Sequence, residues 1–208
     1  MEINYLIRSL LKNRGICSES EMEEFLSPNP RKTYDPLLLP DMEAGADLIL
    51  NEISKGSRIM IYGDYDADGI TATSLMMTVL GYLMEDRPED LDYYIPSRFE
   101  EGYGLNKDAI KTISDRGFDF IITVDCGSVS KDEAAYAEEL GLKILVTDHH
   151  TITDRMAECL LINPKKPGSE YPFKELCGCG WPLSLHRSFR EKQTFPRKSY
   201  QKCLTLWP

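Results

Sequence analysis

The sequence predicts an α/β fold, a parallel sheet flanked by helices, with a short helical segment ahead of it. Three observations carry this. Apolar, β-branched runs at 58–63, 119–124 and 143–147 alternate with stretches compatible with helix. The runs lack strict polar alternation, as strands buried on both faces do. Each ends in residues suited to a cation: Asp64-Tyr65-Asp66-Ala67-Asp68-Gly69, then Asp125-Cys126-Gly127, then Asp148-His149-His150. In open α/β sheets, ligands bind beyond the carboxyl ends of the strands.

The elements follow in order. Residues 3–13 read as a helix closed by Gly15, and 19–26 as a second with Ser18 as cap and Pro28 as stop. A proline-rich connector runs from Pro28 to Pro40. Asp41 is the candidate cap of a helix over 42–55 that buries Ala44, Leu48 and Ile49 and ends at Gly56. Strand 58–63, helix 70–84, strand 91–95, helix 106–115, strand 119–124, helix 131–140 and strand 143–147 then alternate, and Leu160-Leu161-Ile162 reads as a further short strand. Alternation at this spacing implies βαβ units and a parallel sheet.

The bulk numbers bound the function without choosing it. The chain has 208 residues, enough for one large domain or a domain with an appendage. No apolar run approaches the roughly 20 residues that span a bilayer, and Met1-Glu2-Ile3-Asn4-Tyr5 lacks the basic start of a signal peptide. A cytoplasmic location without membrane association is therefore expected, with the six cysteines reduced. Cys177-Gly178-Cys179 could ligate a metal, but the second pair that a zinc site needs is missing. The net charge of −10 opposes non-specific coating of nucleic acid, although bound cations can reverse the sign locally.

The aspartate loop carries the most chemistry. Carboxylates at positions 64, 66 and 68 repel one another unless a cation holds them. The spacing opens like a calcium loop, but that loop needs a bidentate Glu at its twelfth position, where Leu75 stands. The bland alternative is helix capping by Asp68 or Asp64, for which three aspartates are too many. Asp125 is a candidate bridging carboxylate. Asp148-His149-His150 contains two of the chain's three histidines directly after a strand, and a set that mixes imidazole with carboxylate leans towards Mn²⁺. In Ser97 to Asn106, Gly102 and Gly104 let the backbone bend close to a ligand, Arg98 can fork onto a phosphate, and Asn106 can cap the next helix.

Together these residues resemble the DHH phosphoesterase superfamily and, within it, the RecJ-type single-strand-specific exonucleases. Tyr62 to Gly69 is similar to the first family motif, Ser97-Arg98 with Glu101 to Gly104 to the second, Val124 to Gly127 to the third, and Asp148-His149-His150 to the triplet that names the superfamily. Arg14-Gly15-Ile16, Phe25-Leu26, Asp35-Pro36, Asn163-Pro164, Tyr171-Pro172-Phe173 and Cys177 to Gly180 extend the likeness over about residues 1–180.

The resemblance implies two divalent cations, Mn²⁺ before Mg²⁺. Asp66 would serve one, Asp68 and His149 the other, and Asp125 both. His150 would stand beside the reacting phosphate or orient the water. Asp64 and Asp148 would support the ligands from behind. Arg98, Gly102, Tyr103 and Gly104 would hold phosphate or DNA. Tyr62 stands where many superfamily members have a histidine, so water would replace one ligand. The partner implied is single-stranded DNA, with repair or recombination proteins beyond it. Tyr65, Tyr94, Phe99 and Tyr103 are available for stacking, although Phe99 could equally be core.

The likeness stops after Gly180. Residues 181–208 hold six Lys/Arg against one Glu, while the first 180 hold 18 against 33 Asp/Glu. The tail has no Asp and no Gly, so the last family carboxylate is missing, and a shifted frame or degenerate terminus is expected. The expected organisation is a helical lead-in over 1–56, an incomplete phosphoesterase domain over 57–180 and an aberrant tail that does not fold natively. Three functions stay open: a 5′→3′ single-strand exonuclease, a phosphodiesterase of short oligonucleotides or cyclic dinucleotides, and a non-catalytic nucleic-acid-binding remnant.

Overall fold

The computed structural model describes residues 3–27 and 34–180, and beyond them Pro182, Ser184, Leu185 and Phe189. The chain divides into two compact units at Tyr34 and Asp35.

The first unit contains α1 (Tyr5–Asn13) and α2 (Glu19–Leu26). Asn4 caps α1 by accepting the Leu6 N–H at 2.9 Å. Ser18 and Glu21 form a reciprocal capping box on α2, satisfying amides that a helix start leaves open. Leu11 and Met22 are its buried residues, and an ion pair joins Arg8 to Glu19 at 3.0 Å.

The second unit contains α3 (Met42–Lys55), β1 (Ile59–Gly63), α4 (Ala67–Leu83), β2 (Leu91–Tyr94), α5 (Lys107–Asp115), β3 (Phe120–Val124), α6 (Lys131–Glu139), β4 (Lys143–Thr147) and β5 (Leu160–Ile162). All four strand pairings are parallel, in the order β2-β1-β3-β4-β5. Successive strand residues bury on opposite faces, the period-two geometry of a strand. Ile59, Ile61, Phe120, Ile122 and Leu145 pack with Met42, Ala46 and Ile49 of α3 and Met76 and Leu80 of α4. Met60, Tyr62, Ile121, Ile144 and Val146 pack with Ile110 and Ile113 of α5 and Ala134 and Ala137 of α6. Both β1 and β3 are buried throughout, which accounts for their unbroken apolar sequence.

Three expectations are corrected. Helix α3 belongs with the sheet and not with a lead-in ending at 56, because Met42, Ala46 and Ile49 complete one core face. Leu48 is only partly buried there. Asp41 does not cap α3. Its backbone is left-handed, at φ 57°, and no side-chain cap bond forms. The carboxylate turns instead to the Leu161 N–H at 3.1 Å and to the Lys166 ammonium. Helix α4 starts at Ala67, three residues before expectation, and its cap is Asp66, which accepts the Gly69 N–H at 2.9 Å. Most of the expected aberrant tail lies outside the described residues. Those described in it are helical, and Leu185 and Phe189 lie in the core beside α3 and α4.

At the amino edge of the sheet, Glu52 is buried and accepts hydrogen bonds from Lys143 Nζ at 2.5 Å, Lys55 Nζ at 3.0 Å and Ser57 Oγ at 2.8 Å. Burial opposes ionisation, yet these donors outweigh it and hold Glu52 down at about 2 from 4.5. A folded-state value below the unfolded one stabilises above about pH 4.5, and that contribution is lost as pH falls towards 2. Glu52→Gln is expected to flatten the dependence of the urea midpoint on pH across that window. An unchanged dependence would show that the network does not link folding to acid.

Candidate metal centre

The strand order reverses between the neighbours β1 and β3: the chain runs on from β1 to β2 on one side and from β3 to β4 on the other. That reversal opens a crevice at the carboxyl edge, where α/β sheets place ligands. The edges of β1, β3 and β4 deliver Asp64 to Asp68, Asp125, and Asp148 to His150 into it.

Each carboxylate has a different set of neighbours. Asp64 is 1% exposed and takes the Tyr65 N–H at 2.7 Å on Oδ1. Asp66 holds the start of α4. Asp68 accepts two amides from the far side of the crevice, Gly178 N–H on Oδ2 and Cys179 N–H on Oδ1, both at 2.8 Å. Asp148 is buried and fully engaged: Oδ2 takes the Ser128 N–H at 2.9 Å, and Oδ1 takes the His149 N–H, the His150 N–H and His150 Nδ1 at 2.7, 3.1 and 2.7 Å.

Asp125 differs from the rest. It is 1% exposed and its backbone is left-handed, at φ 63°, a conformation that costs a non-glycine residue energy and recurs at functional sites. Its Oδ1 is buried with no hydrogen-bond partner. His149 Nε2 lies 2.9 Å from that oxygen, yet off the direction a ring N–H would need. Two such groups so close stand as neighbouring ligands of one cation would. Asp125 is also the shared member of two donor groups. Its carboxylate is within 4.8 Å of Asp64 and Asp66 on one side and of His149 and His150 on the other. Asp68 Oδ2 is 3.6 Å from His149 Nε2. This donor set fits divalent cations, because every member is a carboxylate or an imidazole.

The electrostatics agree. Burial, then the neighbouring carboxylates, raises Asp64 above its ordinary range, and burial is also the main cause that raises Asp125. Asp148 is lowered: burial opposes this, but the bonds from His150 and Ser128 win. Asp125 raises His149, and the hydrogen bond to Asp148 raises His150.

The second sequence motif forms the front of the crevice. Tyr94 Oη donates to Glu101 at 2.6 Å, and Ser97 N–H donates to the same carboxylate at 2.7 Å, pinning the turn to β2. Gly102 and Gly104 adopt φ 80° and 82°, open to glycine at little cost. Tyr62 Oη donates to the Gly104 carbonyl at 2.9 Å and its ring stacks on Tyr94. Tyr62 thus braces the turn through its hydroxyl. Tyr103 Oη is 3.2 Å from His150 Nε2. The exposed Arg98 guanidinium is 5.4 Å from the Tyr65 ring centroid. Phe99 is 96% exposed, so it is not a core residue.

Several residues that hold the site carried no role in the sequence reading. Asn163 Nδ2 donates to Ser128 Oγ at 2.8 Å and to the His150 carbonyl at 2.9 Å. Gly178 packs against Asp125 so closely that a Cβ there would meet Oδ1 at 2.7 Å. Asn163-Pro164 and Cys177-Gly178 were visible as motifs, but nothing local in them reveals partners 35 and 110 residues away.

A parallel α/β domain with a carboxylate–histidine donor site at its switch point is the class that fold and site define. The description of the DHH family, N-terminal domain, matches residues 58–206, past the Gly180 at which the sequence resemblance ended. The single-stranded-DNA-specific exonuclease RecJ of Bacillus subtilis is 44% identical over 186 residues, covering 89% of this chain and 23% of that protein. The protein of the same name from Salmonella typhimurium is 33% identical over 199 residues, covering 93% and 33%. A crystal structure of an exonuclease RecJ bound to manganese superposes with a TM-score of 0.68 at 31% identity, covering 79% of this chain and 41% of that one. The chain belongs to the DHH family, as an N-terminal domain of the RecJ type. It spans 23% and 33% of the length of these two curated relatives.

Removing the Asp125 charge should relieve repulsion where no cation is present. Asparagine tolerates the left-handed backbone. Asp125→Asn in a chelating buffer at pH 8.5 is therefore expected to melt higher than the parent, by on the order of 3 °C for a gain near 1 kcal/mol. A lower melting temperature would mean that the Asp125 charge is satisfied within the protein.

Proposed function

We propose that the chain is the catalytic metal-binding domain of a 5′→3′ exonuclease acting on single-stranded DNA. The observation that carries the reading is the buried, unpartnered Asp125 Oδ1 standing between two donor groups. The names of the relatives supply the substrate, and the manganese-bound relative supports Mn²⁺, with Mg²⁺ as second choice. The setting we propose is cytoplasmic repair or recombination of DNA, where single-stranded 5′ ends arise. The described cysteines are free, as thiols stay in such a reducing compartment.

In this reading Asp66 and Asp125 would hold one cation with Asp64 beside them, and Asp68, Asp125 and His149 would hold the other. When bound, such a pair would supply Lewis-acid activation of a water and stabilisation of both oxygens of an in-line displacement. Asp148 Oδ1 accepts a hydrogen bond from His150 Nδ1–H, and in that tautomer the Nε2 lone pair faces the Tyr103 hydroxyl and the open crevice. His150 is thereby poised to orient water or accept its proton. Asp148 also fixes the turn that aims His149, the kind of outer contact that orients metal ligands. Arg98 offers a forked donor to the terminal phosphate. The exposed face of Tyr103, with Tyr65 beside it at 6.2 Å, offers a surface on which a base can stack. Tyr94 is committed to Tyr62 and Glu101 and is left out of that surface.

The test is degradation of a 5′-phosphorylated single strand by the purified chain with Mn²⁺, beside Asp125→Ala. Loss of activity in the variant by at least about 10²-fold supports the reading. A dinucleotide cleaved faster than the long strand would favour the short-oligonucleotide phosphodiesterase. Strand binding that is unaffected by chelation, with no cleavage, would favour a binding remnant. Mn²⁺ at a hundred times its dissociation constant should add about 2.7 kcal/mol to the parent's stability and far less to the variant's, read as a shift in melting temperature.

A further inference from the structure

Cys177 and Cys179 flank the glycine whose amide holds Asp68. Their Sγ atoms are 3.1 Å apart. Cys177 is exposed and Cys179 partly so, so an oxidant in solution reaches the pair. A disulfide needs about 2.05 Å between sulfurs. Closing the remaining gap of roughly 1 Å, and meeting the Cβ separation and dihedral a disulfide fixes, takes a shift of the short loop as well as side-chain rotation. The Gly180 N–H bonds the Cys177 carbonyl at 2.9 Å, so the loop already turns back on itself and presents both sulfurs together. Neither thiol has a part in the proposed hydrolysis.

We propose that Cys177 and Cys179 are a redox-active dithiol that closes to a disulfide, and that closure loosens the hold on Asp68 and Asp125. The oxidant is a peroxide. The Cys177 thiolate attacks one peroxide oxygen, forming a sulfenic acid and releasing hydroxide. Cys179 Sγ then attacks the sulfenic sulfur, forming the S–S bond and expelling the sulfenic oxygen as water. Two thiols and one hydrogen peroxide give one disulfide and two waters. Both sulfurs are oxidised and both peroxide oxygens reduced.

The geometry couples this bond to the aspartates. The two amides that Asp68 accepts belong to Gly178 and Cys179. Gly178 has no slack against Asp125, since even a methyl group there would fall 2.7–2.8 Å from its carboxylate. Drawing the sulfurs together across Gly178 must shift one or both amides. This coupling rests on the reading of Asp68 and Asp125 as cation ligands, whereas formation of the disulfide does not.

The test treats the whole purified chain with hydrogen peroxide, alkylates free thiols and digests with trypsin. Cleavage after Lys174 and Arg187 isolates both cysteines in a peptide with no other. The expected result is that peptide lighter by two hydrogens, unalkylated, and reversible by dithiothreitol. A fully alkylated peptide, or one carrying added oxygen, would overturn the disulfide. Calorimetry with Mn²⁺ alone reads the coupling: about tenfold weaker binding by the oxidised chain is expected, the usual cost of disturbing a ligand's support. In Cys177→Ser/Cys179→Ser, peroxide should leave Mn²⁺ binding where it was. A disulfide formed with Mn²⁺ affinity unchanged would overturn the coupling. A reduced chain that takes up no Mn²⁺ would overturn the reading of the centre and leave the disulfide to stand or fall on the peptide mass.

Discussion

Mutual repulsion among carboxylates is the constraint around which this domain is arranged. Five aspartates and two histidines meet at one end of a five-stranded sheet. Unpaired negative charge out of water costs several kcal/mol per group unless something compensates it. The sheet supplies the rigidity that keeps them there. Strands β1, β3 and β4 are hydrogen-bonded in continuous register and packed on both faces, so the residues just past their ends have little freedom to move apart. A loop site with the same composition would relax by swinging its side chains into solvent.

The aspartates do not share the burden equally, and the differences divide their roles. Asp148 has donors on both oxygens, as does Asp68, and Asp66 is engaged as a helix cap. Hydrogen bonds to a charged group contribute about 1.5–3 kcal/mol each, and a buried acceptor left unmade costs about 1–3 kcal/mol. Asp125 Oδ1 bears that cost at the centre of the cluster, together with the strain of its left-handed backbone. Evolution rarely keeps two unfavourable terms at one residue unless a bound group offsets them. The pattern of satisfied and unsatisfied oxygens therefore points inward to the cation more directly than the count of acids does.

Much of this was legible in the sequence. Apolar runs buried on both faces give the strands to within about a residue, and acids at their ends mark the carboxyl edge in the sequence itself. What escaped reading shares one physical cause, long-range pairing. For a helix starting near 70 the sequence offers Asp68 or Asp64 as cap; in the fold Asp68 is drawn to the amides of Gly178 and Cys179, and Asp66 caps a helix that starts at Ala67. Asp41 looked like a cap and instead serves Leu161 and Lys166, 120 and 125 residues on. Asn163, Ser128 and Gly178 are small and uncharged, so no local pattern betrays them, yet they hold the histidine turn and seat Asp125. Tyr62 was read for the ligand it replaces, whereas its phenol acts sideways, fastening the Gly104 turn to the sheet.

Exposure gives the centre a direction. Asp64, Asp125 and Asp148 are sealed at 1–2%, whereas the side chains of Asp68, His149 and His150 are 25%, 23% and 46% exposed. The dry wall keeps the dielectric low where charge must be held, and the wet wall leaves room for a phosphate and a water. Tyr103, Tyr65, Arg98 and the protruding Phe99 all lie in or beside the turns on that open side. That side also carries acids, since Asp66 and Glu100 are exposed and Asp68 is partly so. Burial hides only part of the negative charge, so a net-acidic domain can receive a polyanion there only where the cations proposed in the crevice reverse the sign at the point of contact.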